Sequence, residues 1–323
     1  MSVEVTAWTG IAATLVVAVL RSTTPLLFAA LGGLVSELAG CLNVALEGLM
    51  LVAAFFAVIT AWLANRWCPG LPDWGCAWIG CGFGLLAALA CAGVLAVFHL
   101  EWGADLIVAG IAINILAEGL TVFLMEAIVG DKGSTAAINT PALPSLRVPG
   151  LGGHPVLDTL FNGEGGQGHH VLIYIAVSCA VALPWLLTRT PFGLHLRAVG
   201  ENERAALGAG ISGKRMRYQA LLLSGVFAGL GGVYLSLGYL TLFQSGMSGG
   251  RGFLALAAVF LGARRPLGTV AAALLFGASA VLATQMGLIG LPTHVVYMLP
   301  PLITTGTLVL VGAVRRRRFP TTR

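Results

Sequence analysis

Asn43 and Glu47 stand four residues apart in the segment Asn-Val-Ala-Leu-Glu-Gly at 43–48, inside the longest apolar stretch of the chain. Asn114, Glu118 and Thr121 repeat that spacing in Asn-Ile-Leu-Ala-Glu-Gly-Leu-Thr. Residues four apart share one face of a helix. Each set therefore predicts a polar stripe on an otherwise apolar helix. Asparagine offers a donor and an acceptor, and a carboxylate offers two acceptor oxygens. Two such stripes facing one aqueous path would suit a neutral ligand rich in hydroxyls and ring nitrogens. The alternative is hydrogen bonding between helices with no ligand contact.

The elements that carry these stripes are membrane helices. The chain has 323 residues, 57% of them hydrophobic and 10% charged, with a mean hydropathy of +0.91. A soluble domain carries about 25% charged residues. The 44 glycines suit close helix packing in lipid, where small residues let backbones approach. A bilayer-spanning helix needs about 20 apolar residues. That length predicts spans near 7–20, 42–64, 75–98, 104–128, 168–188, 217–240, 267–288 and 292–314. Segments 24–38 and 251–263 are too short. The expected fold is all-α, a single polytopic membrane domain over 1–323 with about 8–10 transmembrane helices.

Charge sets the expected orientation. Thirteen of the 18 Lys and Arg residues lie in three places: Arg189 to Arg217, Arg264 with Arg265, and Arg315 to Arg323. Positive loops remain in the cytoplasm. Segment 189–216 and the C-terminus are then inside, and the Gly- and Pro-rich loop 129–167 is outside. A ten-element count also places the N-terminus inside. Met1 to Thr6 holds no Lys or Arg, so a signal peptide is not expected.

An internal repeat links the two halves. Glu-Gly-Leu-Met-Leu-Val-Ala-Ala-Phe-Phe at 47–56 aligns with Arg-Gly-Phe-Leu-Ala-Leu-Ala-Ala-Val-Phe at 251–260. In the ten-element topology the two units run in opposite directions. The alignment sets Glu47 opposite Arg251 and predicts an ion pair at the repeat interface. Asp105 is expected to cap the helix that follows it.

Catalytic chemistry is not indicated. The six cysteines have no metal spacing, and no Walker A or HExxH motif occurs. Metal ligands and catalytic residues are therefore expected to be absent. His169 and His170 follow a Gly-rich loop and are expected to be solvated. Cys68 and Cys76 bracket a Pro/Gly loop and could pair if that loop is external.

The segment 190–238 carries the most local information. Asn202 can cap a short helix beginning at Glu203, and Gly208 and Gly210 can end it. The stretch "FGLHLRAVGENERAALGAGISGKRMRYQALLLSGVFAGLGGVYLSLG" resembles the cytoplasmic signature of permease subunits of bacterial ABC importers, in the branch shared by simple-sugar, branched-chain amino-acid and nucleoside systems. "SELAGCLNVALEGLMLVAAFFAV", "GADLIVAGIAINILAEGLTVFL" and "GMSGGRGFLALAAVFLGARRPLGTV" resemble the same branch, so the likeness runs over roughly residues 25 to 290. "NVALEG" is most similar to the nucleoside type, which depends on a basic membrane lipoprotein. Ala39-Gly40-Cys41 departs from the pattern, where relatives more often carry Arg shortly before the Gly.

The resemblance implies a permease in the inner membrane with two cytoplasmic ATPase subunits, a second permease subunit (a paralogue, giving a heterodimer) and an extracytoplasmic substrate-binding lipoprotein. No cofactor is expected on this chain, ATP being used by the partner ATPase, and no nucleic acid is implied. Gly200, Glu201, Asn202, Glu203, Arg204, Ala205, Ala206, Gly210 and Ile211 are the expected ATPase-coupling residues. Asn43, Glu47, Asn114, Glu118 and Arg251 are the expected pathway residues. The ligand order is nucleoside, then simple sugar, then branched-chain amino acid. An ion-coupled secondary transporter is the competing class, and it would need no coupling helix.

Overall fold

A computed structural model describes residues 2–150, 155–163, 168–288 and 306. The apolar segment expected at 292–314 and the basic residues Arg315 to Arg323 lie outside the described residues. The described chain holds eleven α-helices: α1 (Ser2–Leu38), α2 (Leu46–Trp67), α3 (Asp73–Leu100), α4 (Leu106–Val129), α5 (Pro155–Asn162), α6 (Val171–Arg189), α7 (Pro191–Glu201), α8 (Glu203–Gly208), α9 (Gly213–Val233), α10 (Arg251–Leu261) and α11 (Pro266–Leu288). Strands β1 (Ser145–Leu146) and β2 (His169–His170) pair antiparallel within the long loop. Seven of the helices are long and apolar enough to cross a membrane.

One boundary differs from expectation. Segments 7–20 and 24–38 are a single helix that runs through Pro25. Proline is tolerated inside a membrane helix when neighbours satisfy the backbone group it frees. The Thr24 hydroxyl donates to the Leu20 carbonyl at 2.7 Å, one residue before the Arg21 carbonyl that Pro25 leaves without its N–H. Gly231 of α9 lies so close that a Cβ there would stand 2.8 Å from the Pro25 carbonyl oxygen. Merging the two segments removes one crossing. Helix α1 packs on α5, with Arg21 beside Gly163, and Arg21 lines a cavity with Tyr239. The N-terminal side of α1 therefore lies at the end of the bundle opposite Arg189 and Arg264, not at the same end.

Small residues set the helix spacing. Gly80 and Gly84 of α3 face the Ala57 and Ala53 carbonyls of α2, and a Cβ at either would fall within 2.6 Å of them. Gly232 of α9 meets the Met50 carbonyl in the same way. Among the described residues one apolar cluster extends through α1, α2, α3, α6, α9, α10 and α11. At its edge α9 continues into a π-helical turn, Tyr234–Tyr239.

The repeat is visible in the geometry. α10 has 11 residues and so spans about 16 Å, roughly half the hydrocarbon core. It ends at a turn where Arg264 pairs with Glu37 at 2.7 Å, beside the end of α1. Its start therefore lies at mid-depth, where Gly252 packs against Glu47 at the start of α2. α2 runs the other way, to a turn that hands the chain to α3, and α3 returns to Glu101, which pairs with Lys214 at the basic end. The breaks at 39–45 and 240–250 thus enter the bundle from opposite ends, and two helix starts meet between them. This is the inverted repeat expected from the alignment.

The turn after α2 holds no disulfide. Cys68 is exposed and Cys76 buried, both as free thiols. His169 and His170 are not solvated either. His169 is 2% exposed and its Nε2 lies 2.9 Å from the Leu160 carbonyl. Burial pushes His170 down to about 4, and its ring packs on Gly238 and Tyr234. The long loop folds back on the bundle, which Gly and Pro content alone did not indicate.

Candidate translocation site and coupling segment

The first turn of any α-helix has backbone N–H groups without intrahelical partners. Where α2 and α10 begin at mid-depth, protein side chains satisfy them. Glu47 serves α10: its Oε1 accepts from the Gly250 N–H at 2.7 Å and its Oε2 from the Gly252 N–H at 2.6 Å. Gly249 and Gly250 have φ of +55° and +79°, a region glycine reaches freely. That turn exposes the two N–H groups to one carboxylate. Negative charge at a helix N-terminus is also favoured by the helix dipole.

Asn114 serves α2. Its Oδ1 accepts from the Gly48 N–H at 2.8 Å and its Nδ2 donates to the Val44 carbonyl at 2.9 Å. Asn43 is fully buried. Its Oδ1 accepts from the Ala45 N–H at 3.0 Å and its Nδ2 donates to Ser224 Oγ at 2.9 Å. Asn43 thus fastens the break before α2 to α9 and does not face a path, a correction to the expected stripe. The expected ion pair is also corrected. Arg251 Nη1 donates to the Met247 and Ser248 carbonyls, both at 3.1 Å, and among the described residues Glu47 and Arg251 form no salt bridge. Backbone N–H groups at the α10 start are nearer and better directed than the guanidinium, which braces its own loop.

Three of the five expected pathway residues come together. Glu47, Asn114 and Glu118 line one cavity of about 380 Å³ with Ser248, Gly250 and Phe253. Glu118 is exposed there, and its carboxylate has no partner among the described residues. The cavity opens along α4, whose Ile111, Ile115 and Leu116 are 46%, 67% and 62% exposed. Asp105 caps α4 as expected, accepting from the Ile107 and Val108 N–H groups at 3.0 and 2.9 Å.

At the basic end, Asn202 caps α8 as its spacing predicts, with Oδ1 accepting from the Ala205 N–H at 3.1 Å. Gly210 takes a φ of +81° just past the helix. Ala206 is buried against Val199 and Met216, with Ile211 beside them. Glu203 is held by Arg217 at 2.9 Å, which ties α8 to α9. Glu201, Arg204, Ala205 and Leu207 remain exposed. Helix α7 was not foreseen. Thr190 and Pro191 mark its start, the Thr190 hydroxyl accepting from the Gly193 N–H at 3.4 Å and Pro standing at the first helical position, where it is favoured. Gly200 of α7 touches α1 directly: a Cβ there would fall 2.1 Å from the Leu38 carbonyl oxygen and 3.1 Å from the Gly40 nitrogen.

Comparison with known proteins agrees with this architecture. The family model for the branched-chain amino acid transport system permease component matches residues 15–310. The guanosine ABC transporter permease protein NupQ of Bacillus subtilis is 37% identical over 95% of this chain and 93% of its own length. The nucleoside ABC transporter permease protein NupC of Lactococcus lactis is 33% identical over 89% of each chain. A putative glucose ABC transporter permease protein of Haloferax volcanii, TsgC13, is 33% identical over 82% of this chain and 75% of its own. A matched family model over most of the chain, an inverted repeat and seven apolar spanning helices lead to one conclusion: the chain is a multi-pass membrane protein of the ABC-transporter permease family described as the branched-chain amino acid transport system permease component.

Proposed function

We propose that this chain is one of two permease subunits forming the pathway of an ATP-driven nucleoside importer in the inner membrane. The observation that carries the reading is the cavity at the meeting of α2 and α10. It presents an unpartnered carboxylate, Glu118, beside Glu47 and Asn114. Hydroxyls and ring N–H groups of a nucleoside supply donors for such acceptors. The open, apolar flank of α4 would be closed by a paralogous permease. ATP would be hydrolysed by two cytoplasmic ATPase subunits docked at α8, and a binding lipoprotein would deliver ligand at the opposite end. The guanosine and nucleoside names of two similar permeases support the ligand class. The glucose name of a third keeps a simple sugar as the second reading.

Uptake by proteoliposomes holding the whole complex tests the ligand. ATP-driven entry of labelled guanosine is expected, without entry of glucose or leucine. Glu118→Gln should lower guanosine uptake roughly tenfold or more, the loss of one charged hydrogen bond. Uptake of glucose alone would replace the nucleoside reading.

Orientation has its own test, which starts from a native cysteine. Cys68 is exposed in the turn after α2, at the end opposite the basic segments. An impermeant thiol reagent should label it in intact cells, and Cys68→Ser should abolish that labelling. With Cys68→Ser as background, Leu207→Cys should stay unlabelled until the membrane is opened. The opposite pattern inverts the topology.

A further inference from the structure

A cavity of about 890 Å³ lies at the basic end between α6 and the start of α11. Its lower wall is apolar and outward-facing: Val181 and Trp185 of α6 are 72% and 62% exposed, and Leu267 of α11 is 74% exposed. Its rim carries four arginines, Arg189, Arg197, Arg264 and Arg265. Arg264 is engaged by Glu37, and Arg197 Nε donates to the Gly193 carbonyl at 3.4 Å. Arg189 and Arg265 are exposed, and their guanidinium groups have no hydrogen bond or ion pair among the described residues. α11 begins at Pro266 within the same rim, and its first-turn N–H groups add positive potential.

We propose that this groove binds one anionic phospholipid of the cytoplasmic leaflet, its phosphate held by Arg189 and Arg265 and its acyl chains lying along Val181, Pro184, Trp185 and Leu267. Tryptophan is enriched at the depth where headgroup meets hydrocarbon. Basic pockets between helices on the cytoplasmic side suit anionic headgroups. A water-facing protein partner would leave the exposed Val181, Trp185 and Leu267 wall without apolar cover or demand a matching hydrophobic surface. A lipid meets both requirements at once, because its charge and its chains are already separated by the height of the groove. The site stands apart from the α8 segment and from the mid-depth cavity.

Native mass spectrometry of the full chain, released from detergent after exchange into phosphatidylglycerol or phosphatidylcholine, tests this. Phosphatidylglycerol should be retained in preference to phosphatidylcholine. At about 1 kcal/mol for each surface arginine, the double substitution R189A with R265A should weaken phosphatidylglycerol retention by about 25-fold. Phosphatidylcholine, whose phosphate is offset by its own choline cation, should be retained weakly throughout and lose much less. R215A, at the same end but outside the groove, is the control and should leave phosphatidylglycerol retention within about twofold. Should the double variant fail to fold, R189Q and R265Q are measured singly, and each should weaken retention about fivefold. Equal retention of the two lipids overturns the proposal. So does an equal loss on R215A, or a double variant that keeps phosphatidylglycerol.

Discussion

Glu47→Ala should be among the most damaging single substitutions in the protein. The carboxylate accepts two backbone N–H groups of the α10 start, from Gly250 and Gly252, and is only 8% exposed. A hydrogen bond to a charged group contributes about 1.5–3 kcal/mol, so losing both should cost about 3–6 kcal/mol. Glu47→Gln should fall only somewhat short of that, because its amide nitrogen would face a backbone donor. Arg251→Gln removes two bonds within one loop and should cost about 1–2 kcal/mol. Arg251 stands between the two donors that Glu47 holds, and its guanidinium braces their loop, so the double variant should depart from the sum of the single costs by about 0.5–3 kcal/mol. Thermal unfolding of the purified complex reads all four corners of that cycle. Additivity within about 0.5 kcal/mol would make the Glu47 cap and the Arg251 loop independent. Gly252→Ala supplies an independent reading, because its Cβ would stand 2.4 Å from the Glu47 nitrogen. It should mimic Glu47→Ala without changing any charge.

That result also marks how far the sequence carries. Aligning 47–56 with 251–260 put the starts of α2 and α10 together, and the bundle does bring them together. Side-chain charge alone pairs Glu47 with Arg251, but the backbone donors at 250 and 252 win. Ser-Gly-Gly-Arg-Gly at 248–252 carried a signal for the true partner: glycines before a helix expose bare N–H groups that a buried acid can satisfy. Asn43 was read by spacing as half of a stripe, although asparagine readily bonds its own backbone two residues on. That competing use won at Ala45. The break expected between 20 and 24 does not occur, α1 running on through Pro25 with Gly231 of α9 packed closely on it. The α8 cap was legible because every contact in it is local. The folding of the 129–163 loop onto the bundle was not. Its contacts pair Thr135 with Phe243 and His170 with Tyr234, across separations that no local pattern records.

In the importer proposed above, Gly200→Ala should uncouple this chain from the ATPase subunits. Gly200 lies inside α7 with ordinary helical geometry, where alanine would favour the helix by about 0.5–1 kcal/mol. Local propensity therefore predicts a mild gain. Packing predicts the reverse. The new Cβ would fall 2.1 Å from the Leu38 carbonyl oxygen, and both contacting groups are backbone, so one helix must move. Forcing extra volume into such a contact costs about 1–3 kcal/mol, enough to shift a two-state equilibrium by roughly 5- to 150-fold. The displaced elements are the ones a coupling motion would cross. α8 is tied to α9 through Glu203 and Arg217, α7 rests on Leu38 and Gly40, and residues 39–45 lead to Asn43 and then to Glu47 at the cavity. Gly82→Ala is the control: it lies on α3, away from α7 and α8, and its Cβ would meet nothing within 4 Å. Uptake and substrate-stimulated ATP hydrolysis by the reconstituted complex should fall at least tenfold for Gly200→Ala and stay within about twofold for Gly82→Ala, with both variants assembling. If Gly200→Ala retains stimulated hydrolysis, the close contact between α7 and α1 plays no part in transmission. Coupling would then have to pass from α8 to the pathway through α9 alone, by way of Ser224 and its bond to Asn43.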